Sequence, residues 1–507
     1  MENQQESEWV EAQNIVLSQD VVAAAKQQLL FLAEIDRNRC LYDGPVLSRA
    51  ILRYKYCWLP LLAKHEDSDG PLVVPLDCEW IWHCHRLNPV RYKTDCMELY
   101  GKILDNSNVI SSIQATSKVQ TERIWKTVYP NEPYELDLNN DSLQECVESY
   151  LGNSESTTKY DLISAVKRQS SFFYQVSLPY WNDDAFLEGA VARYKGFLHL
   201  IRRNRERSIR RFCVPTYDID LIWHSHQLHP ASYCKDLEAI MSKVLEHDDT
   251  DSDRTKGQKL DVGFSETTKQ WEDTFGSRYW RAGAMYRGNA PSPLTVNKNI
   301  LGSMHNNSAS SSENLSLIQL PKKMLMGVML EIVDVRDLPS GHKSKLVVSF
   351  KKKEQDTFFN AQKLLRISSE SEKKQVAVFQ CEATGELVIE LISCPRFNFP
   401  IARRGKVLGK TSVNLESLQN VASKLPIEKW FDLTPRNRVN HVKPISMRIG
   451  LSMTPPTPAP YELSMVCARP CLKCSFSYWL PEKFQKTKNW TTIVDEPGNV
   501  IISIQMR

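Results

Sequence analysis

The chain repeats itself, and the repeat constrains the fold before anything else does. Residues 75–92 read PLDCEWIWHCHRLNPVRY, and residues 215–233 read PTYDIDLIWHSHQLHPASY. The shared core is Ile-Trp-His-x-His-x-Leu-x-Pro-x-x-Tyr, preceded by an aspartate and a second acid two residues on. Asp77 matches Asp218, Glu79 matches Asp220, Trp82 matches Trp223, His83 matches His224 and His85 matches His226. Trp, His and Pro are uncommon enough that such a string does not recur by chance. Two copies of one unit are implied, and each must build the same local structure.

The likeness extends well beyond the histidines. Arg53-Tyr54-Lys55 aligns with Arg193-Tyr194-Lys195, Trp125 aligns with Trp271, and Phe31 stands near the place of Phe172. Apolar residues from Val21 to Ile35 recur at helical intervals, with Asp20 placed to cap them. Pro45 can open the next helix, which carries Leu47, Ile51, Tyr54 and Trp58. Pro75 and Pro215 precede the histidine helices, which Asp77 and Asp218 are placed to cap. Pro89 and Pro230 mark where those helices end or the next begin. The spacing predicts two all-helical modules, residues 1–136 and 137–286, packed as a pseudo-symmetric pair. The polar stretches 105–118 and 246–259 read as surface loops, since their composition cannot support a core.

The pattern then changes. Residues 287–320 form a Ser/Asn-rich linker. Short Val- and Ile-rich runs over 321–452 predict an antiparallel β-sandwich. A second linker, MTPPTPAP, leads to a small β-rich unit over 461–507, incomplete by its pattern. The expected architecture is multidomain: an all-α duplicated N-terminal domain, an all-β sandwich and a short β-rich C-terminal segment.

Composition narrows the function classes. With 64 basic and 60 acidic residues the net charge is only +4, too balanced to argue for bulk nucleic-acid binding. The polar N-terminus lacks the apolar stretch of a signal peptide, and no run is apolar enough to span a membrane. The 13 cysteines then read as free thiols in a reducing compartment. The expected location is cytoplasmic, with the nucleus as a second compartment.

The histidine strings offer chemistry of two kinds. On a helix, residues two apart point about 200° apart, so His83 and His85 cannot chelate one ion together. Residues four apart share a face. Glu79 with His83, and Asp220 with His224, have that spacing. If the two helices meet, these four form a candidate metal site for a transition-metal ion. The simpler expectation is structural: Trp82, His85, Trp223 and His226 belong to a central core, where buried histidines bond to acids or carbonyls. On that reading there is no cofactor and no catalytic residue.

Other features carry weaker signals. Arg202, Arg203, Arg205, Arg207, Arg210 and Arg211 make the densest basic cluster, suited to RNA or anionic lipid. Lys351–Lys353 could touch lipid headgroups. The sandwich offers Asp334 and Asp337 in its first loop, but the later loop SCPRFNF holds no aspartate, which argues against calcium-dependent lipid binding. Cys467, Cys471 and Cys474 would need a fourth ligand, such as His441, to close a zinc site. No phosphate loop, nucleophile elbow or zinc-protease string is present.

The paired acid-Ile-Trp-His-x-His blocks, followed by WEDTFGSRYWRAGAMYRG at 271–288, resemble the plant glycine-rich domain-containing proteins. The resemblance implies a helical N-terminal region, a C2-like sandwich, and a role in development and in stress or hormone responses of the abscisic acid or auxin type. RNA binding is also implied, although no RNP1-type string occurs. Members commonly carry a glycine-rich tail. This chain departs from that pattern, with only 19 glycines and no such tract. The expectation is a non-enzymatic regulatory protein with protein partners. The alternatives are a metal-dependent enzyme with its site between the repeats, or a peripheral membrane or RNA adaptor.

Overall fold

The computed structural model describes residues 2–65, 70–138, 157–290, 315–319, 323–339, 345–359, 362–367, 375–394, 405–435, 443–459, 490–494 and 500–505. Helices α1 (Glu2–Gln13) and α2 (Val21–Arg37) come first. Asp20 caps α2 as expected, accepting from the amides of Val22 and Ala23. Helix α3 (Gly44–Arg53) takes Pro45 in its first turn, widens into a π-helical turn at Tyr54–Trp58 and continues as α4 (Leu59–Lys64). The first histidine string forms α5 (Leu76–Arg86); α6 (Pro89–Tyr100) and α7 (Val119–Val128) follow.

The second copy supplies α8 (Leu162–Gln169), α9 (Phe172–Val176) and the long α10 (Asp184–Glu206). The second histidine string is α11 (Tyr217–Gln227), followed by α12 (Pro230–Met241) and α13 (Lys259–Phe275). Both prolines of the repeat, Pro89 and Pro230, open new helices, because their fixed φ suits a first turn. One apolar core runs through both copies, from Ile15 and Leu29 to Trp271 and Tyr279.

The copies are not self-contained, because their leading segments are exchanged. Ser18, just before α2, donates its amide at 2.6 Å and its hydroxyl at 3.0 Å to Asp236 of the second copy. Thr158, just before α8, donates its hydroxyl to Asp95 of the first copy. Gln28 of α2 accepts from Ser225 of α11 at 2.7 Å, while α8 lies against α5. Helix α1 also crosses over: Trp9 packs edge-on against Trp271 at 5.9 Å. The two units therefore fold as one body.

The sandwich runs from Met324 to Pro458, so its last strand lies within the stretch read as the second linker. One sheet joins β10 (Ile427–Asp432), β11 (Ser446–Met453), β4 (Met324–Arg336) and β12 (Thr457–Pro458), with β7 (Val376–Glu382) also on β4. The other joins β6 (Lys363–Ile367), β5 (Lys345–Lys352), β8 (Glu386–Cys394) and β9 (Lys406–Asn414). Val348, Phe350, Leu387, Ile389 and Leu391 face Leu330 and Met447 in its core. Two short parallel strands, β1 (Leu72–Val73) and β2 (Val109–Ile110), lie in the helical region, the second inside the first polar insertion. The far end of the expected linker is a strand: β3 (Leu315–Gln319) pairs in parallel with β13 (Trp490–Val494), which pairs with β14 (Val500–Gln505).

The sandwich docks on the second copy through α14 (Leu415–Lys424) and β4. Arg281 donates to Asp218, to the carbonyl of Phe186 and to the carbonyl of Ser423, each at 2.8 Å. Trp280 donates to Glu331 at 2.9 Å, and Arg278 lies 3.2 Å from Glu331 and 3.3 Å from Glu428. Gly189 is required here: a Cβ at that position would stand 1.9 Å from the carbonyl oxygen of Lys424. Among the described residues no helix is long and apolar enough to cross a membrane.

Candidate metal centre on the histidine helices

Helices α5 and α11 are buried on nearly all sides, so every polar side chain they carry must find a partner inside the protein. The two acids at the repeat's start are not caps. Asp77 and Asp218 lie inside the first turn, where no side-chain cap bond forms. Each instead meets an arginine of the preceding helix. Arg53 Nε is 2.6 Å from Asp77, and Arg193 Nε is 2.8 Å from Asp218. Each guanidinium also lies over the repeat's tryptophan, Arg53 at 5.1 Å from Trp125 and Arg193 at 5.2 Å from Trp271. A buried guanidinium needs a carboxylate more than a helix end needs a cap. Burial alone would raise the Asp218 carboxyl, but Arg193 and Arg281 hold it below the usual range.

The second histidine of each string closes an equivalent triad. Tyr54 Oη is 2.9 Å from His85 Nδ1, whose Nε2 is 3.2 Å from Asp95. Tyr194 Oη is 3.1 Å from His226 Nδ1, whose Nε2 is 3.2 Å from Asp236. The carboxylate sets the tautomer: Nε2 faces it, hydrogen-bonded in the second copy and at ion-pair distance in the first, and Nδ1 accepts from the tyrosine. Burial keeps both tyrosines protonated by pushing them well above their ordinary value. The tryptophans are pinned in the same way. Trp82 donates to Tyr92 at 2.8 Å and Tyr92 to the Leu104 carbonyl at 2.7 Å. Trp223 donates to Tyr233 at 3.0 Å and Tyr233 to the Leu245 carbonyl at 2.9 Å. Trp82, His85, Trp223 and His226 are all core residues.

The first histidine and the second acid have parted company between the copies. Glu79 accepts from the Ser112 amide at 2.8 Å and the Ser112 hydroxyl at 2.6 Å. Burial still raises its carboxyl, though these hydrogen bonds oppose the shift. His83 stacks on Phe31 at 5.6 Å, and its Nε2 has no hydrogen-bond partner among the described residues. Burial holds His83 well below the usual histidine value, with Arg86 and His224 adding to the effect. In the second copy Asp220 Oδ1 is 3.4 Å from His224 Nε2 and 3.5 Å from His247 Nε2. The two Nε2 atoms are 3.3 Å apart. Burial pulls His224 down to about 4 in spite of Asp220, whereas Asp220 outweighs burial at His247 and raises it.

Glu79, His83, Asp220 and His224 thus do not gather as one ligand set. Asp220 and His224 meet His247, while Glu79 is held by Ser112. His247 and Ser112 both come from the polar insertions read as surface loops. The repeat itself carried a signal for His247. Leu104 and Leu245 are matched by the Trp–Tyr–carbonyl chains, so two residues on, Asn106 in one copy stands for His247 in the other.

The remaining candidates are placed as follows. Arg202 pairs with Glu11 at 2.6 Å, Arg203 with Glu8 at 2.8 Å and Arg211 with Glu266 at 3.5 Å, while Arg205, Arg207 and Arg210 are exposed. Lys352 is buried and donates to the Glu382 and Thr384 carbonyls; Lys353 pairs with Glu386 at 3.1 Å. Asp337 pairs with Lys443 at 3.0 Å. Most of the SCPRFNF loop, His441, Cys467, Cys471 and Cys474 lie outside the described residues. The described cysteines form no disulfide with one another.

Known proteins agree with this architecture. The profile of the glycine-rich domain-containing protein-like family matches twice, over residues 1–95 and 91–236. That of the C2 domain of glycine-rich domain-containing protein matches residues 322–455. The duplicated helical domain and C2-like sandwich make this chain a member of the glycine-rich domain-containing protein family. It is 54% identical over 512 residues to glycine-rich domain-containing protein 1 of Arabidopsis thaliana, covering 100% of this chain and 62% of that one. Against glycine-rich domain-containing protein 2 of the same plant it is 53% identical over 513 residues, covering 100% of this chain and 64% of that one. The chain therefore spans less than two thirds of either relative. Among solved structures, a C2 domain of plant extended synaptotagmin 1 matches 27% of this chain and 97% of its own at 13% identity and a TM-score of 0.19, too low to carry an argument.

Proposed function

We propose that this chain is a non-enzymatic regulatory protein that works by binding protein partners in plant development and in stress or hormone responses of the abscisic acid or auxin type. One observation carries the reading. The residues that define the repeat are mostly consumed in folding: Asp77 and Asp218 by arginines, His85 and His226 by Tyr–His–Asp triads, Trp82 and Trp223 by tyrosines. A motif spent on its own core needs no substrate to explain it. The same network reaches the sandwich through Arg281, which bridges Asp218 to the Ser423 carbonyl. The helical body thus holds the C2-like domain at a fixed angle, as an interaction platform does. We place its action in the cytoplasm, with the nucleus as a second site. RNA and anionic lipid are the alternative partners, served by Arg205, Arg207 and Arg210.

The test is complementation. In plants lacking this protein, root growth on abscisic acid and on auxin should depart from wild type. The full chain should restore it, and Arg281→Leu, which removes the bridge from Asp218 to the Ser423 carbonyl, should not. Unaltered hormone responses in the absence of the protein would remove this assignment. A second reading, a metal-dependent enzyme, draws on the Asp220, His224 and His247 triangle alone; turnover of any substrate that vanishes in His247→Ala would favour it.

A further inference from the structure

We propose that the second helical copy binds one divalent transition-metal ion, zinc by preference, through Asp220 Oδ1, His224 Nε2 and His247 Nε2. The inference goes beyond the regulatory reading and does not rest on it. Three observations carry it.

The first is the size of the triangle, with edges of 3.3, 3.4 and 3.5 Å. A tetrahedral ion with ligands at about 2.0–2.1 Å sets neighbouring ligand atoms about 3.3–3.4 Å apart. An octahedral ion with the same bond lengths sets them only about 2.9 Å apart. The triangle's edges are nearer the tetrahedral value, which fits zinc better than the facial two-histidine, one-carboxylate arrangement of non-haem iron. As hydrogen bonds the same separations are poor, since N–H···O contacts centre near about 2.9–3.0 Å. Among the described residues Asp220 Oδ1 has no hydrogen-bond partner of good geometry.

The second is orientation. His247 Nδ1 lies 3.2 Å from the carbonyl oxygen of Leu87, which can only accept. Nδ1 therefore carries the proton, and Nε2 turns its lone pair toward the other two ligands. The His224 ring is fixed by Phe172, centroids 4.5 Å apart, and Trp223 stands edge-on to His247 at 4.7 Å.

The third is access. The His224 and His247 side chains are 2% and 7% exposed, but that of Asp220 is 19% exposed. The imidazoles and Asp220 Oδ1 itself are buried, while the rest of the Asp220 side chain reaches the surface, so the triangle lies just beneath it. Three protein ligands leave the fourth vertex to water, so the site belongs with open rather than closed zinc centres.

The first copy lacks each requirement. Glu79 is held by Ser112, Asn106 stands where His247 does, and the buried guanidinium of Arg86 stands where the second copy has neutral Gln227. Among the described residues a second cluster of possible ligands, Glu8, Glu11 and His199, is already matched by Arg202 and Arg203.

The test uses the full chain, stripped with a chelator, dialysed against zinc chloride and read by inductively coupled plasma mass spectrometry. About one zinc per chain is expected. His247→Ala and Asp220→Asn should each weaken zinc binding by more than about 100-fold, and Asn106→Ala should leave it unchanged. His247 sits outside the helices, and far-ultraviolet circular dichroism checks that its removal leaves the fold intact. Cobalt(II) in place of zinc should show the intense visible bands of a four-coordinate ion. No stoichiometric zinc in the wild-type chain, or full zinc retained by His247→Ala, would overturn the proposal. Weak six-coordinate cobalt bands would overturn the tetrahedral assignment.

Discussion

The two histidine helices begin from one sequence and end in different chemistry. In both, the inner histidine is locked between a tyrosine and an aspartate, and the tryptophan is tied to a tyrosine and a backbone carbonyl. In the first, the outer histidine is stacked on Phe31, its Nε2 without a partner among the described residues, while its acid is held by Ser112. In the second, the outer histidine and acid face His247. What lies inside the shared core has stayed the same. What points toward the variable insertions has changed, because the insertions supply the partners.

The largest effect should come from the charges that the copies treat differently. Asp218 serves two arginines, Arg193 and Arg281, whereas in the first copy Arg53 serves both Asp77 and Glu132, and Glu132 also takes Arg49. Removing one partner of a buried pair costs about 3–5 kcal/mol. Asp218→Asn should reach the top of that range in urea denaturation and split the calorimetric unfolding into two transitions, since Arg281, still bonded to the Phe186 and Ser423 carbonyls, loses the carboxylate that anchors its bridge to the sandwich. Asp77→Asn should destabilise without splitting it. A single transition in both variants would show that the domain coupling does not run through Asp218.

Next comes Gly189. Its Cβ would collide with the Lys424 carbonyl, and overpacking of this kind costs about 1–3 kcal/mol. Gly189→Ala should expose the α10–sandwich seam to protease cleavage. Uncleaved protein under conditions that leave the wild type intact would contradict the docking geometry.

The inner histidines sharpen the comparison further. His85→Ala and His226→Ala each strand a buried tyrosine and aspartate, at about 1–3 kcal/mol. Equal losses by urea denaturation are expected, and a loss in one copy only would break the equivalence.

The smallest and broadest effect is that of pH. His83, His85 and His224 are held below the ordinary 6.5 by burial, so the unfolded chain takes up protons first. Their stabilisation is present above that value and drains as pH falls toward their folded values, about 4 for His224. Asp95 and Asp236 are held below 3.8 by hydrogen bonds from His85 and His226 against the opposing effect of burial, so their share is lost only at lower pH. His247 is raised, so its share is present below 6.5 and lost as pH rises through its folded value. The urea midpoint should fall between pH 6.5 and pH 4 overall; a flat midpoint there would contradict the burial of the three histidines.

Much of this was legible in the sequence, for reasons that can be named. The duplication was visible because the residues that fill the shared core are rare ones. The helix starts at Asp20, Pro45, Pro89 and Pro230 were visible because capping and proline geometry are local. The exchange of leading segments was hidden, since nothing in Ser18 or Thr158 shows which copy's aspartate it will meet. Asp77 and Asp218 looked like caps because the competing arginines lie on another helix. His247 was missed because a lone histidine in an acidic stretch looks solvated; only the register carried from Leu104 to Leu245 marks its place.

The most direct test of divergence between the copies is the shift in melting temperature that zinc produces in four variants: His83→Ala, His85→Ala, His224→Ala and His226→Ala. The account predicts that zinc stabilises the wild type and every variant except His224→Ala. Equal zinc stabilisation of His224→Ala, or loss of the effect in His83→Ala instead, would contradict it.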